Sequence, residues 1–163
     1  MENLLEAQIG QLLRQRGLKL ATAESCTGGL LADRITDIPG SSDYFIGGVV
    51  AYAYEAKVAL LHVSWDTLRL HGAVSREIVV EMARGVRTVL GANIGISVSG
   101  IAGPGGGLPD KPVGTTWVGL SATDGDWARK FAWDGDRRFN KKASAQAALQ
   151  FVLDYLNGNP SNG

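Results

Sequence analysis

The chain has 163 residues, 45% hydrophobic and 20% charged, which suits one domain with a buried core and excludes a disordered protein. Its 16 Lys and Arg residues balance its 16 Asp and Glu residues, so we expect neither nucleic acid nor an anionic membrane as partner. One cysteine and two histidines exclude a disulfide framework and give no ligand spacing for a metal, so we expect no metal and no cofactor.

The N-terminal residues lack a basic region followed by an apolar stretch, so we expect no signal peptide. No apolar run approaches the roughly 18 residues of a membrane span. No linker divides the chain, and no internal repeat is visible. We therefore interpret residues 1–163 as a single domain of a soluble, cytoplasmic protein.

Helices and strands alternate through the first half of the chain. Apolar spacing predicts helices over residues 3–16, 27–35 and 55–61, and strands over residues 18–23 and 45–53. Gly17 is expected to end the first helix, and Ser64 is a candidate cap for a further short helix.

The second half continues this alternation and then breaks it with a hairpin. Ser75 is the predicted N-cap of an amphipathic helix that ends at Gly91. Strands are predicted over residues 94–99, 115–122 and 127–133, and a last helix over residues 140–156. The Asp-Gly pair between the last two strands is typical of an antiparallel hairpin. The pattern predicts an α/β fold whose mixed sheet has helices on both faces.

Glycines are concentrated in a loop that follows a predicted strand, at residues 100–114. Glycine permits positive φ and close approach of a ligand, and outward N–H groups at a strand end suit a phosphate. The loop matches neither the Walker A pattern nor the dinucleotide fingerprint. The alternative is a surface connection rich in turn residues, but loops of this length are more often functional.

A second candidate site lies at a strand-to-helix junction around Ser25. Gly28 and Gly29 are predicted in the first helical turn, where bare N–H groups can hold an oxyanion or a phosphate. An ordinary N-cap is the alternative for Ser25. No serine–histidine triad is supported, so the remaining base is Lys57, which follows a strand ending at Tyr52. Spacing alone favours a solvated Lys57.

Several segments resemble the CinA C-terminal domain family, the nicotinamide-nucleotide amidohydrolases, also called NMN deamidases. The resemblance covers nearly the whole chain, with its motifs in the family's order, and fits the stand-alone form. The segments are AESCTGG at 23–29, GGVV at 47–50, EAK at 55–57, GAVS at 72–75, SVSGIAGPGGG at 97–107 and KPVGT at 111–115.

This resemblance implies a three-layer α/β/α sandwich with a mixed, mostly parallel sheet, and a homo-oligomer. It implies hydrolysis of the carboxamide of nicotinamide mononucleotide to nicotinic acid mononucleotide and ammonia. The family's nucleophile, tyrosine and lysine match Ser25, Tyr52 and Lys57. The oxyanion and substrate-binding positions expected from this chemistry are Thr27, Gly28, Gly29, Gly103, Gly105, Gly106, Gly107, Lys111 and Arg137.

The chain departs from the family at Tyr54, where asparagine is usual. Two alternatives to the enzyme therefore stay open. One is a non-catalytic nucleotide-binding module of the same fold, and the other is a packing domain that acts only as an oligomer subunit. Ammonia release, saturable binding without release, or no binding of a mononucleotide separates these three hypotheses.

Overall fold

A five-stranded sheet forms the centre of the molecule. The computed structural model describes residues 4–162, and within them the strands lie side by side in the order β2-β1-β3-β4-β5. The strands are β1 (Leu20–Glu24), β2 (Phe45–Val50), β3 (Ile94–Gly100), β4 (Thr115–Ala122) and β5 (Gly125–Ala132).

The sheet is parallel at one side and antiparallel at the other. β1 pairs in parallel with both β2 and β3, whereas β4 pairs antiparallel with β3 and with β5. β4 alone therefore runs against the other four strands. This confirms the mixed, mostly parallel sheet and the hairpin. It also means that the segments after β1, β2 and β5, and both ends of the β3–β4 loop, lie at one edge of the sheet.

Helices cover both faces of the sheet. α1, α2 and α6 contact one another on one face, and α3 and α4 contact α5 on the other. Each face has its own apolar cluster, one around Leu13, Ile96 and Leu149, the other around Leu61 and Met82. The three-layer α/β/α sandwich is thus confirmed. The helices are α1 (Leu5–Arg16), α2 (Leu30–Thr36), α3 (Tyr54–Leu61), α4 (Trp65–His71), α5 (Arg76–Leu90) and α6 (Arg137–Leu156).

Most predicted helix ends are confirmed by their caps. Ser64 accepts hydrogen bonds from two backbone N–H groups of α4, and Ser75 accepts one from Ile78. Gly17 and Gly91 end α1 and α5 in the left-handed conformation. No helix within residues 4–162 is long and apolar enough to cross a membrane.

Two predicted helix starts were wrong. α6 begins at Arg137, not at residue 140, because the Asp136 carboxylate accepts a hydrogen bond from the Phe139 N–H and caps the helix there. α2 begins at Leu30, not at residue 27, so Gly28 and Gly29 precede the helix. Both glycines have positive φ, 61° and 107°, which excludes them from a right-handed helix.

Candidate active site

Three strand ends meet where the sequence placed the candidate residues. Glu24, the last residue of β1, is in register with Val50 of β2 and with Val98 of β3. The Ser25 N–H then donates to the Val98 carbonyl at 3.0 Å, and the Ala51 N–H donates to the Glu24 carbonyl at 2.8 Å. The segments after β1 and β2 are therefore fixed beside each other.

Ser25 and Lys57 are brought together at this edge. Lys57 Nζ lies 2.9 Å from Ser25 Oγ, although 32 positions separate the two residues. Lys57 belongs to α3 and is 1% exposed, and Ser25 is 8% exposed. The lysine is therefore not the solvated helix residue that spacing alone favoured.

Three oxygen atoms around the Lys57 amine determine which hydrogen bonds it donates and which it accepts. Nζ also lies 2.9 Å from the backbone oxygens of Ala51 and Tyr52, which can only accept hydrogen bonds. In the neutral amine, two N–H bonds donate to these carbonyls and the lone pair is left for the hydroxyl proton of Ser25. The arrangement orients the amine as a base toward the serine.

Burial lowers the pKa of Lys57 from 10.5 to about 8, because the charged ammonium loses hydration in this position. Roughly a tenth of the lysine is then neutral at pH 7, against fewer than about one in a thousand at the ordinary pKa. The neighbouring thiol behaves in the opposite way. Burial raises the pKa of Cys26 to about 12, so this thiol stays protonated and is a poor nucleophile.

The buried carboxylate of Glu24 organises the turn between β1 and α2. One oxygen accepts hydrogen bonds from the Thr27 hydroxyl at 2.6 Å and from the N–H groups of Gly29 and Leu31. The other oxygen accepts from the Ala32 N–H at 3.1 Å. This carboxylate thus caps α2 from before the turn and holds residues 25–29 in place.

The turn has fewer available N–H groups than the sequence suggested. The Gly28 N–H donates to the Ser25 carbonyl at 3.2 Å, and the Gly29 N–H donates to Glu24. The expectation that both glycines present bare N–H groups is therefore corrected. Within residues 4–162, the Thr27 N–H has no acceptor, and the Cys26 N–H contacts only the thiol of its own residue. They directly follow Ser25, where an oxyanion formed on an attacked carbonyl needs donors.

Tyr52 and Arg137 connect this pair to the glycine-rich loop. The Arg137 guanidinium donates to the Tyr52 hydroxyl at 3.1 Å and to the Gly103 carbonyl at 2.7 Å. The predicted strand end at Tyr52 was wrong, because β2 ends at Val50. Tyr52 is 61% exposed, and its backbone oxygen contacts Lys57. The structure therefore joins Ser25, Lys57, Tyr52, Arg137 and Gly103 in one chain of contacts.

The other predicted binding residues of the loop lie at or beside two separate cavities. Gly103 and Arg137 line an open cavity of about 520 Å³. Gly105, Gly106 and Gly107 are exposed beyond it. Lys111 lies elsewhere, because its Nζ donates to the His71 carbonyl at 2.5 Å and it lines a separate cavity beside α4.

Two further residues at this site were not predicted in these positions. The Asn140 side chain is 2% exposed and donates to the Ala102 and Gly135 carbonyls, which ties the loop to α6. Lys141 on the same helix faces Gly28. No sequence pattern marks Asn140 or Lys141, because both reach the site through tertiary packing of α6. Within residues 4–162 no three metal-ligating side chains cluster.

Comparison with known proteins identifies the family. A family model described as the CinA C-terminal domain matches residues 2–156. The chain belongs to the CinA C-terminal domain family. It is similar to CinA-like proteins of Salinibacter ruber and Chloroherpeton thalassium, each 51% identical, over 90% and 94% of this chain. The chain spans 35% and 37% of the length of these relatives.

Solved structures of CinA-type proteins share the fold. The competence damage-inducible protein A of Klebsiella pneumoniae superposes with a TM-score of 0.91 and 36% identity, covering 94% of this chain and 95% of that one. The competence/damage inducible protein CihA of Agrobacterium tumefaciens gives a TM-score of 0.90 and 39% identity, covering 94% and 93%. This CinA domain therefore has the family's architecture over almost its full length.

Proposed function

We propose that this CinA domain is an amidohydrolase that converts nicotinamide mononucleotide to nicotinic acid mononucleotide and ammonia. The observation that carries the proposal is the buried contact of 2.9 Å between Lys57 Nζ and Ser25 Oγ. A serine hydroxyl needs an adjacent base to become a nucleophile, and a lysine serves as base only when its pKa is lowered. Both conditions are met at this pair.

The acylation step begins with the neutral form of Lys57. Ser25 Oγ forms a bond to the carboxamide carbon, and its proton passes to Lys57 Nζ. The carboxamide oxygen takes up the negative charge. When the tetrahedral intermediate collapses, the carbon–nitrogen bond breaks and Lys57 returns the proton to the leaving nitrogen. Ammonia departs, and an ester of Ser25 remains.

The backbone N–H groups of Cys26 and Thr27 are the donors proposed for the oxyanion. Both follow Ser25 directly; within residues 4–162 the Thr27 N–H has no acceptor, and the Cys26 N–H contacts only its own thiol. Donors of this kind are each worth about 10²- to 10³-fold in rate. Glu24 supports these donors indirectly, because its carboxylate accepts hydrogen bonds from the N–H groups of Gly29, Leu31 and Ala32 and so fixes the turn.

The deacylation step repeats the same proton transfer with water. Lys57 accepts a proton from a water molecule, whose oxygen bonds to the ester carbon. The bond to Ser25 Oγ then breaks, and Oγ takes the proton back from Lys57. The product leaves as the carboxylate. Tyr52 contributes its backbone oxygen, which orients the lysine amine throughout the cycle.

The nucleotide part of the substrate is assigned to the cavity that Arg137 lines, which is connected to the reacting pair through the contacts of Tyr52. Gly103 and Arg137 line this cavity of about 520 Å³, which is large enough for a mononucleotide. The Arg137 guanidinium uses two of its five N–H donors within the protein, so others remain for ligand. Exposed N–H groups of Gly105, Gly106 and Gly107 would line the outer rim.

The proposal is tested by ammonia release from nicotinamide mononucleotide. The wild-type protein is expected to release ammonia and nicotinic acid mononucleotide in equal amounts. Ser25→Ala is expected to fold normally, as judged by circular dichroism, and to lose about 10³-fold or more in turnover. Ser41→Ala, at a serine of the short 3-10 helix before β2, serves as the matched control and is expected to keep its activity.

Two outcomes would contradict the proposal in different ways. A Ser25→Ala protein that keeps a tenth or more of the activity overturns the nucleophile. Saturable binding of the mononucleotide without any ammonia from the wild-type protein instead identifies a non-catalytic binding module. In that case the next variant to test is Tyr54→Asn. Tyr54 is the first residue of α3 and departs from the family pattern.

We also propose that the chain forms a homo-oligomer through the outer edge of β2. Within residues 4–162 this strand has a neighbour on one side only, and it exposes two apolar side chains, Ile46 at 45% and Val50 at 50%. Unpaired apolar edges of this kind promote association. Light scattering of the wild-type protein against Ile46→Lys tests this, and a monomeric wild type would refute it.

A further inference from the structure

Lys141 is a cation beside the catalytic turn. It lies on α6, and its Nζ is 3.8 Å from the point where a side chain on Gly28 would begin. The residue is half-buried, and its charge is close enough to lower the pKa of the Cys26 thiol against the larger effect of burial. Within the described chain, residues 4–162, Lys141 has no hydrogen-bond or ion-pair partner.

The gap between Lys141 and the turn is kept open by glycine. Gly28 is in the left-handed conformation, and the nearest atom to its missing side chain is the Lys141 ammonium. Any larger residue at this position would fill the space in front of the amine. The nearby acidic group does not enter it, because both oxygens of Glu24 already accept hydrogen bonds from the turn and from α2.

Of the other cations near the site, Lys111 and Arg137 contact protein atoms, whereas Arg138 lines the cavity with Arg137 and has no hydrogen-bond or ion-pair partner within residues 4–162. Lys111, the lysine that the sequence suggested for the phosphate, donates to the His71 carbonyl at a different cavity. Arg137 holds Tyr52 and Gly103. Lys141 follows Arg137 by four positions on α6, so the two side chains leave the same face of the helix, about 5–6 Å apart at Cβ.

We propose that Lys141 binds the phosphate monoester of the substrate, together with Arg137, and so makes the site selective for a nucleotide over a nucleoside. This inference rests on the proposed function and names a residue that sets its substrate class. An ammonium is a compact, strongly hydrated charge on a flexible stem, which suits a dianionic phosphate. The oxyanion of the reaction has its own donors in the turn.

The test compares Lys141→Met with Lys142→Met, the neighbouring exposed lysine of the same helix. Lys141→Met is expected to raise the KM for nicotinamide mononucleotide about 10-fold, as expected for loss of one charge-assisted hydrogen bond, with little change in kcat. The KM for nicotinamide riboside, which lacks the phosphate, is expected to stay unchanged. Lys142→Met is expected to match the wild-type protein with both substrates.

Two kinetic outcomes overturn the inference. An unchanged KM for the mononucleotide shows that the phosphate lies elsewhere. An equal fall in kcat for nucleotide and nucleoside shows instead that Lys141 acts at the reacting carboxamide.

A binding measurement separates this inference from the proposed function. Nicotinamide mononucleotide and inorganic phosphate are titrated calorimetrically into Ser25→Ala, with and without Lys141→Met. Weaker binding of both probes in the double variant supports the phosphate site even if the wild-type protein releases no ammonia. Equal binding in the two proteins refutes the phosphate site, whatever the turnover.

Discussion

Replacing Lys57 by methionine isolates the free energy of burying an ionisable amine. Methionine fills a similar volume but binds no proton. The pKa of Lys57 is about 8 in the folded protein against 10.5 ordinarily, and one unit corresponds to about 1.4 kcal/mol. At pH 7 the buried ammonium therefore costs the wild-type protein about 3 kcal/mol of stability. At pH 10 the cost falls to about 1 kcal/mol, because the folded protein has then lost its proton and the pH is only half a unit below the ordinary pKa of the unfolded chain.

The sign follows from the proton counts of the two states. Between pH 8 and 10.5 the unfolded chain binds more protons at this position than the folded protein does. Wild-type stability therefore rises with pH through this window, relative to a variant that has no proton to lose. The absolute difference also contains the cost of leaving the Ala51 and Tyr52 carbonyls without their donor. That cost does not depend on pH, so the change with pH is the informative quantity.

Urea unfolding followed by circular dichroism at pH 7, 8, 9 and 10 measures this change. The wild-type protein is expected to gain about 2 kcal/mol relative to Lys57→Met between pH 7 and pH 10. Lys142→Met, an exposed lysine on α6, is the control, and its curve is expected to run parallel to that of the wild type. Parallel curves for Lys57→Met would refute the reasoning, because they would mean that Lys57 ionises in the folded protein as it does in the unfolded chain.

Three further variants test the base, the turn and the loop. Lys57→Arg keeps the charge but cannot act as a base, so it should lose about 10²-fold or more in kcat; near wild-type turnover would exclude Lys57 as the base. Glu24→Gln should lower the free energy of unfolding by about 1–3 kcal/mol in urea and should also lower kcat. The control Glu55→Gln, at an exposed residue, should change neither quantity. An unchanged kcat in Glu24→Gln would show that the carboxylate does not contribute to turnover. Gly106→Val, at φ 89° in the loop, should raise KM more than Gly158→Val, at φ 84° far from it; equal KM values would place the ligand elsewhere.

The parts of the fold that depend on local sequence were predicted well. Serine caps, glycine ends and the Asp-Gly hairpin act within a few residues of themselves, so a single sequence contains the whole signal. The start of α2 was missed because its cap is Glu24, a residue of the preceding strand, whose carboxylate reaches over the turn to Leu31 and Ala32. Nothing in the spacing of residues 24–32 shows that this side chain turns inward.

The site shows the same division between local and tertiary information. The parallel arrangement of strands was enough to predict that the ends of β1 and β2 meet. It could not show that Lys57 turns inward to Ser25, and only the family resemblance pointed there. The places of Lys111 and Lys141 in the fold could not be predicted for a further reason. Whether a loop or helix lysine faces a site depends on how α4 and α6 pack against the glycine-rich loop, and no local pattern encodes that packing.

Because β4 is the one antiparallel strand, the glycine-rich loop before it can vary without disturbing the sheet. Because β4 is antiparallel to β3, residues 101–114 connect two adjacent strands at the edge of the sheet that holds Ser25 and Lys57. The stem is closed by hydrogen bonds between Ile101 and Thr115 and between Gly114 and Ile101, at 2.9 and 2.8 Å. The tip at residues 104–110 is exposed and carries none of the core. Changes in its length or composition can therefore alter ligand preference while the strand register and the Ser25–Lys57 pair stay as they are, much as binding loops vary on a constant scaffold.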